Sequence, residues 1–214
     1  MFVRATRLQT PPDRVAAGID NFKQQTMPRL RAAPGNLGAV LLTNRESGAG
    51  MGLTYWESAK AMAAAEQVGI QSRAEAVKSV PGVQIVNVER FELMIMDRSG
   101  PARAGGFVRV NTLNGDVDKL DALTVFMRNS ALPLVRNLPG WRALITGVDR
   151  QTGRSFVSAV YDSMDALQAS ESSVAGLRTE AAKIAGASQE GVTVEIFEGV
   201  VVELDAAITA HVSA

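Results

Sequence analysis

The chain repeats itself. Thr54-Tyr55-Trp56-Glu57-Ser58, the end of a strand running into a helix, recurs as Ala159-Val160-Tyr161-Asp162-Ser163. Extending that match outwards at a fixed offset lays Phe2-Val3-Arg4 over Phe107-Val108-Arg109, Asp13 over Asp118 and Pro28 over Pro133. It also lays Gly48 over Gly153, Glu66 over Glu171 and Arg73 over Arg178. One inserted residue is needed before the last strand, where Phe91-Glu92 meets Phe197-Glu198. A register held this long marks two copies of one structural unit. The 214 residues, 46% of them hydrophobic, are enough for two cores of ordinary domain size.

Each copy reads βαββαβ. In the first, Phe2 to Leu8 alternates as a strand, with Phe2, Arg4, Thr6 and Leu8 on one face. Thr10-Pro11-Pro12-Asp13 predicts a helix start, with Thr10 as the cap. Val15, Ile19, Phe22, Met27 and Leu30 then form an apolar stripe, and Pro28 should bend or interrupt that helix. Leu37–Thr43 and Met51–Glu57 form a hairpin across the turn 44–50. Ser58 caps a second helix running to about Ser79, with Met62, Ala65, Val68 and Val77 buried. Val83–Met96 is the last strand. The boundaries are thus 1–96 for the first repeat, 97–106 for a glycine-rich linker, 107–204 for the second repeat and 205–214 for a tail. Such units are α+β and ferredoxin-like, with both helices on one sheet face. Two in one chain can cover each other sheet to sheet, as an intramolecular barrel.

Lysine plus arginine equal aspartate plus glutamate at 22 each, so no basic surface points to nucleic acid. Without cysteine there is no disulfide, thiol nucleophile or cysteine-held metal. The start enters a strand pattern without the profile of a signal peptide, and no stretch is apolar enough to span a bilayer. The expected setting is the cytoplasm, with no membrane partner.

The first strand, Pro28-Arg29-Leu30, Pro34-Gly35 and Trp56-Glu57-Ser58, with their counterparts in the second half, resemble the antibiotic biosynthesis monooxygenase (ABM) group of the dimeric α+β barrel superfamily. The resemblance implies the barrel fold; the superfamily's activities range from monooxygenation to haem degradation. Its haem-degrading members place an asparagine in the first strand, where this chain has Thr6 and Asn111. They place a tryptophan where it has Ala65 and Ser170, and a histidine where it has Ala74 and Thr179. The only histidine, His211, is in the tail. Haem degradation is therefore not expected, nor is any cofactor or metal.

The candidate ligand-binding residues are Arg4, Thr6, Trp56, Arg109, Asn111 and Tyr161. An arginine beside an amide can hold an anionic or phenolate oxygen. An aromatic at the strand end can stack on a planar ligand. Each has a plainer reading: the arginines pair with a helix carboxylate, such as Asp13 or Asp118, or reach solvent, and Trp56 packs on the helix it precedes. Glu66, Arg73 and their counterparts read as a solvated helix face. Three functions stay open. The chain is a small-molecule-binding ABM-like protein without an identifiable catalytic set, a cofactor-independent monooxygenase acting on an aromatic or polyketide-like phenol, or a non-catalytic interaction module. A small aromatic ligand is the expected partner, and the fused halves form a pseudo-dimer that could pair further with a second chain.

Overall fold

A computed structural model describes residues 1–188, 191–205 and 208. The elements are β1 (Phe2–Gln9), α1 (Val15–Asn21), α2 (Met27–Arg31), β2 (Asn36–Thr43), β3 (Ala49–Trp56), α3 (Ala59–Ala64), α4 (Glu66–Ser79) and β4 (Gln84–Arg98). The second set is β5 (Phe107–Asn114), α5 (Leu120–Phe126), α6 (Leu132–Val135), β6 (Trp141–Val148), β7 (Arg154–Tyr161), α7 (Met164–Ala169), α8 (Glu171–Ala185) and β8 (Val192–Leu204). This is βαββαβ twice over, as the repeat requires. His211 and most of the tail lie outside the described residues.

In hydrogen-bonding order the strands run β1-β3-β2-β8-β5-β7-β6-β4 and close as a barrel. The two long strands explain the order. β4 has 15 residues and β8 has 13, while β1 and β5 have 8 each. A long strand against a short one leaves unpaired N–H and C=O groups over its excess length, and these must be satisfied. Contacts accordingly divide the chain across the repeat. One compact unit holds Met1–Arg90, Ala102–Ala104 and the end of β8 from Phe197. In it β1, β3 and β2 are antiparallel neighbours, and β2 pairs on with β8 from Gly38↔Leu204 to Thr43↔Glu198. The other unit holds Phe91–Pro101 and Gly105–Ile196. There β5, β7 and β6 pair in the same way, and β6 takes the end of β4 from Glu92↔Val148 to Arg98↔Ala143.

The expected helical stripes supply the cores. Met27, Leu30, Ala39, Trp56 and Met62 pack together in the first unit; Leu123, Met127, Leu144, Tyr161 and Leu167 do so in the second. Ser58 and Ser163 cap their helices as predicted, each hydroxyl accepting a 3.1 Å bond, from Ala61 N and Ala166 N. Among the described residues, no helix is long and apolar enough to cross a membrane.

Three local expectations need correction, and a fourth takes an unexpected form. Pro28 and Pro133 mark interruptions of the regular α-helix, but without ending the helical path. Each follows a five-residue π turn, Phe22–Thr26 or Met127–Ala131, and helical backbone continues on both sides. The wider turn relieves the clash between a proline ring and the carbonyl four residues back. The second helix of each copy is two helices, separated at Ala65 and at Ser170. Val77, expected in the core, is 47% exposed. Thr10 does not cap. Its N–H donates to Gly48 O at 2.9 Å, and Pro11 occupies the cap position of the first helical turn.

That last contact repeats in the second unit, where Gly115 N donates to Gly153 O at 3.0 Å. Gly153 has φ +76°, and a Cβ there would lie 2.0 Å from Gly115 O. Gly153→Ala should therefore cost about 2 kcal/mol or more, combining a left-handed backbone with a backbone clash. Urea denaturation measures it, and an unshifted midpoint would show that this turn does not hold β5 in place.

Candidate functional site

On β5, alternation places Arg109, Asn111 and Leu113 on the face towards the helices. Register sets Ala159 beside Arg109 and Val157 beside Asn111, and Leu144 of β6 lies beyond Ala159. From α8, Val174, Leu177, Arg178 and Ala181 face this patch at helical spacing. Met127 and Ala131 of the π turn close a third side. Together they bound a cavity of about 60 Å³ that opens to solvent on one side. The walls are aliphatic; Arg109, Asn111 and Arg178 supply the polar end. That volume has room for a few heavy atoms, so a larger guest would extend out of its mouth.

Arg109 is only 3% exposed and is held on several sides. It donates to Ser170 Oγ at 2.9 Å and to Leu167 O at 2.7 Å, and pairs with Glu171 Oε2 at 3.0 Å. Leu167 O lies near the end of α7, so the guanidinium satisfies a carbonyl freed where the helix is interrupted. Burial draws the Arg109 pKa below its ordinary value, and the charge of Glu171 opposes that. Glu171 also accepts from Arg178 Nη2, while Arg178 Nη1 donates to Asn111 Oδ1 at 3.4 Å. Tyr161 is fully enclosed, and its hydroxyl faces Arg109 without a partner at hydrogen-bonding geometry.

The first unit builds the same joint. Arg4, 2% exposed, donates to Met62 O and to Glu66 Oε2, the latter at 2.9 Å. Glu66 also accepts from Arg73 at 3.1 Å and from Arg90 at 2.9 Å. Burial by itself would raise the Glu66 pKa. The bonds from Arg90 and Arg73 and the charge of Arg4 outweigh that and hold the carboxylate below its usual range. The Arg4 guanidinium carbon also lies 5.5 Å from the Trp56 ring centroid. Trp56 is 0% exposed, and its Nε1 donates to Thr54 Oγ1 at 2.9 Å.

Of the six predicted residues, Arg109 and Asn111 come together on the second unit's cavity. Tyr161 lies beside Arg109 in the core behind it. Arg4 and Trp56 meet in the first unit's interior, and Thr6 pairs with Gly52 on the adjoining strand. The first unit's own cavity, also about 60 Å³, is lined by Leu8, Ile19, Phe22, Thr26, Leu41 and Val80 among others.

The arginines do pair with helix carboxylates, but these are Glu66 and Glu171 and not Asp13 and Asp118, so Glu66, Glu171, Arg73 and Arg178 are not merely a solvated face. A helix begins anew at Glu66 and at Glu171, which turns those carboxylates inwards to the arginines. Sequence reasoning missed this network. The available signal was that Arg4, Glu66 and Arg73 recur together as Arg109, Glu171 and Arg178.

Two ferredoxin-like units, a strand order that closes as a barrel, and a cavity between sheet and helices define the class. Residues 1–76 match the antibiotic biosynthesis monooxygenase family. It is similar to two proteins of Mycobacterium tuberculosis. Uncharacterized protein Rv2557 is 28% identical over 189 residues, 88% of this chain and 84% of that one. Uncharacterized protein Rv2558 is 29% identical over 188 residues, 87% and 79% of the respective chains. A crystal structure described as an anthrone oxidase-like protein superimposes with TM-score 0.67 at 11% identity, covering 96% of this chain and 94% of that one. At that identity the likeness is one of fold.

Proposed function

We propose that this ABM-like protein binds a small, largely apolar molecule in the cavity of its second unit. The observation supporting this is the wall composition: aliphatic side chains on most sides, with Arg109, Asn111 and Arg178 converging at one end. The apolar part of a guest is held by desolvation, and the polar end orients it. Among the described residues lining the cavity there is no carboxylate, imidazole or phenol to act as a general base. Plain binding therefore needs fewer assumptions than catalysis.

A cofactor-independent monooxygenase is the second reading. Its support is the ABM match over residues 1–76 together with Asn111 at the cavity, an amide able to donate to a phenolate oxygen. Thermal shift and oxygen uptake, measured with a panel of hydroquinones, anthrones and naphthols, separate the two. We expect stabilisation by some compounds without oxygen consumption, and weaker stabilisation in Asn111→Ala. Oxygen uptake that disappears in Asn111→Ala would establish the oxygenase instead. No thermal response to any compound would remove the support for binding.

A further inference from the structure

We propose that the second unit's cavity selects a monoanion, a small molecule with an apolar body and one carboxylate, and that Arg178 is the residue that selects it. This rests on the binding reading above and adds the charge of the ligand and the group that recognises it.

The inference comes from how the polar end is wired. Two guanidiniums, Arg109 and Arg178, share the single carboxylate of Glu171. Those three groups hold one positive charge more than they hold negative, at the edge of an apolar cavity. The two arginines are not equivalent. Arg109 is buried, and both of its Nη atoms are already engaged, by Ser170, Leu167 and Glu171. Arg178 is the outer one, with its side chain 21% exposed. It lines the cavity and holds Asn111 by a long 3.4 Å bond. A guanidinium has five N–H donors in a planar fork, suited to both oxygens of a carboxylate. An incoming carboxylate can accept from Arg178 Nη1 at the cost of that weak bond, while Glu171 keeps Arg178 Nη2 and Arg109 in place.

The first unit lacks the chamber that would go with its own arginines. Val157 is replaced by Gly52, and Met127 by Phe22, whose ring reaches within 3.7 Å of where a Gly52 Cβ would stand. Val174 is replaced by Gly69, and Arg4 Nη1 lies 2.7 Å from that Cβ position. A phenylalanine ring and the Arg4 side chain occupy the corresponding space. The expected stoichiometry is one anion per chain.

The test is titration calorimetry of the full chain at neutral pH with two probes of matched shape, para-butylbenzoate and para-butylbenzyl alcohol. The benzoate should bind with a stoichiometry of one and about tenfold or more tighter than the alcohol, the usual scale for a charge-assisted pair. Arg178→Gln should remove that preference by lowering benzoate affinity about tenfold or more, with a clearly smaller effect on the alcohol; Arg178→Lys should restore part of it. Equal affinity for both probes, or an Arg178→Gln variant that weakens both alike, overturns the proposal and leaves the binding reading standing. Binding of neither probe overturns both.

Discussion

Trp56→Ala should destabilise the protein by about 3–5 kcal/mol, the range for removing a large aromatic from a packed interior. Trp56 is 0% exposed and is enclosed by Met27, Leu30, Ala39, Met62 and Ala65. Its loss leaves a void that these neighbours cannot fill without moving strand against helix. It also removes the ring beside the Arg4 guanidinium. Trp56→Phe retains most of the apolar contact but leaves the Thr54 hydroxyl without its donor, so a loss of about 1–2 kcal/mol is expected. Chemical denaturation of the three proteins gives the comparison. Ligand titration on the same samples supplies the control. A ring that served as a stacking platform would show the reverse pattern, with affinity falling while the denaturation midpoint held.

Glu66→Gln should cost about 2–3 kcal/mol at neutral pH. Breaking one side of a buried pair costs somewhat more than this, and Glu66 is partly open to solvent. Three arginines converge on this carboxylate, and the most deeply buried of them, Arg4, has no other ionic partner in the network. The effect carries a pH signature. The folded-state pKa of Glu66 is lowered from its ordinary 4.5. Its contribution is therefore complete above about pH 4.5 and is lost as the pH falls through the depressed folded value. The stability curves of parent and variant should lie apart at neutral pH and converge in acid. Parallel curves through that range would mean the carboxylate's charge is not what matters at this joint.

The arginine network shows where the sequence was legible and where it was not. Strands and hairpins followed from alternation and turn residues, and Ser58 and Ser163 announced their caps because a cap is a local hydrogen bond. The tandem α+β architecture followed from the fixed offset. Glu66 and Glu171 were obscured because their role depends on a helix interruption that local propensity does not signal; Ala-rich sequence on both sides of Ala65 favours continuing the helix. The interruption becomes favourable only when a residue from a distant strand, Arg4, supplies donors for the exposed carbonyls. Thr10 misled for the opposite reason. It has the right chemistry for a cap, but its backbone is paired with Gly48, 38 residues away, and the helical turn starts one residue later with Pro11 at the cap position. Arg109 and Asn111 could be placed on one face from alternation alone, whereas Arg178 needed the packing of α8 to join them.

The π turns before Pro28 and Pro133 have a wider consequence. Phe22 and Thr26 of one line the first cavity, and Met127 and Ala131 of the other line the second. Each hollow thus takes part of its wall from a π turn, a feature of the main chain that both copies share. The widened turn before each proline borders an empty seat in each copy. After duplication the side chains were free to furnish the two seats differently, as Phe22 and Met127 have done.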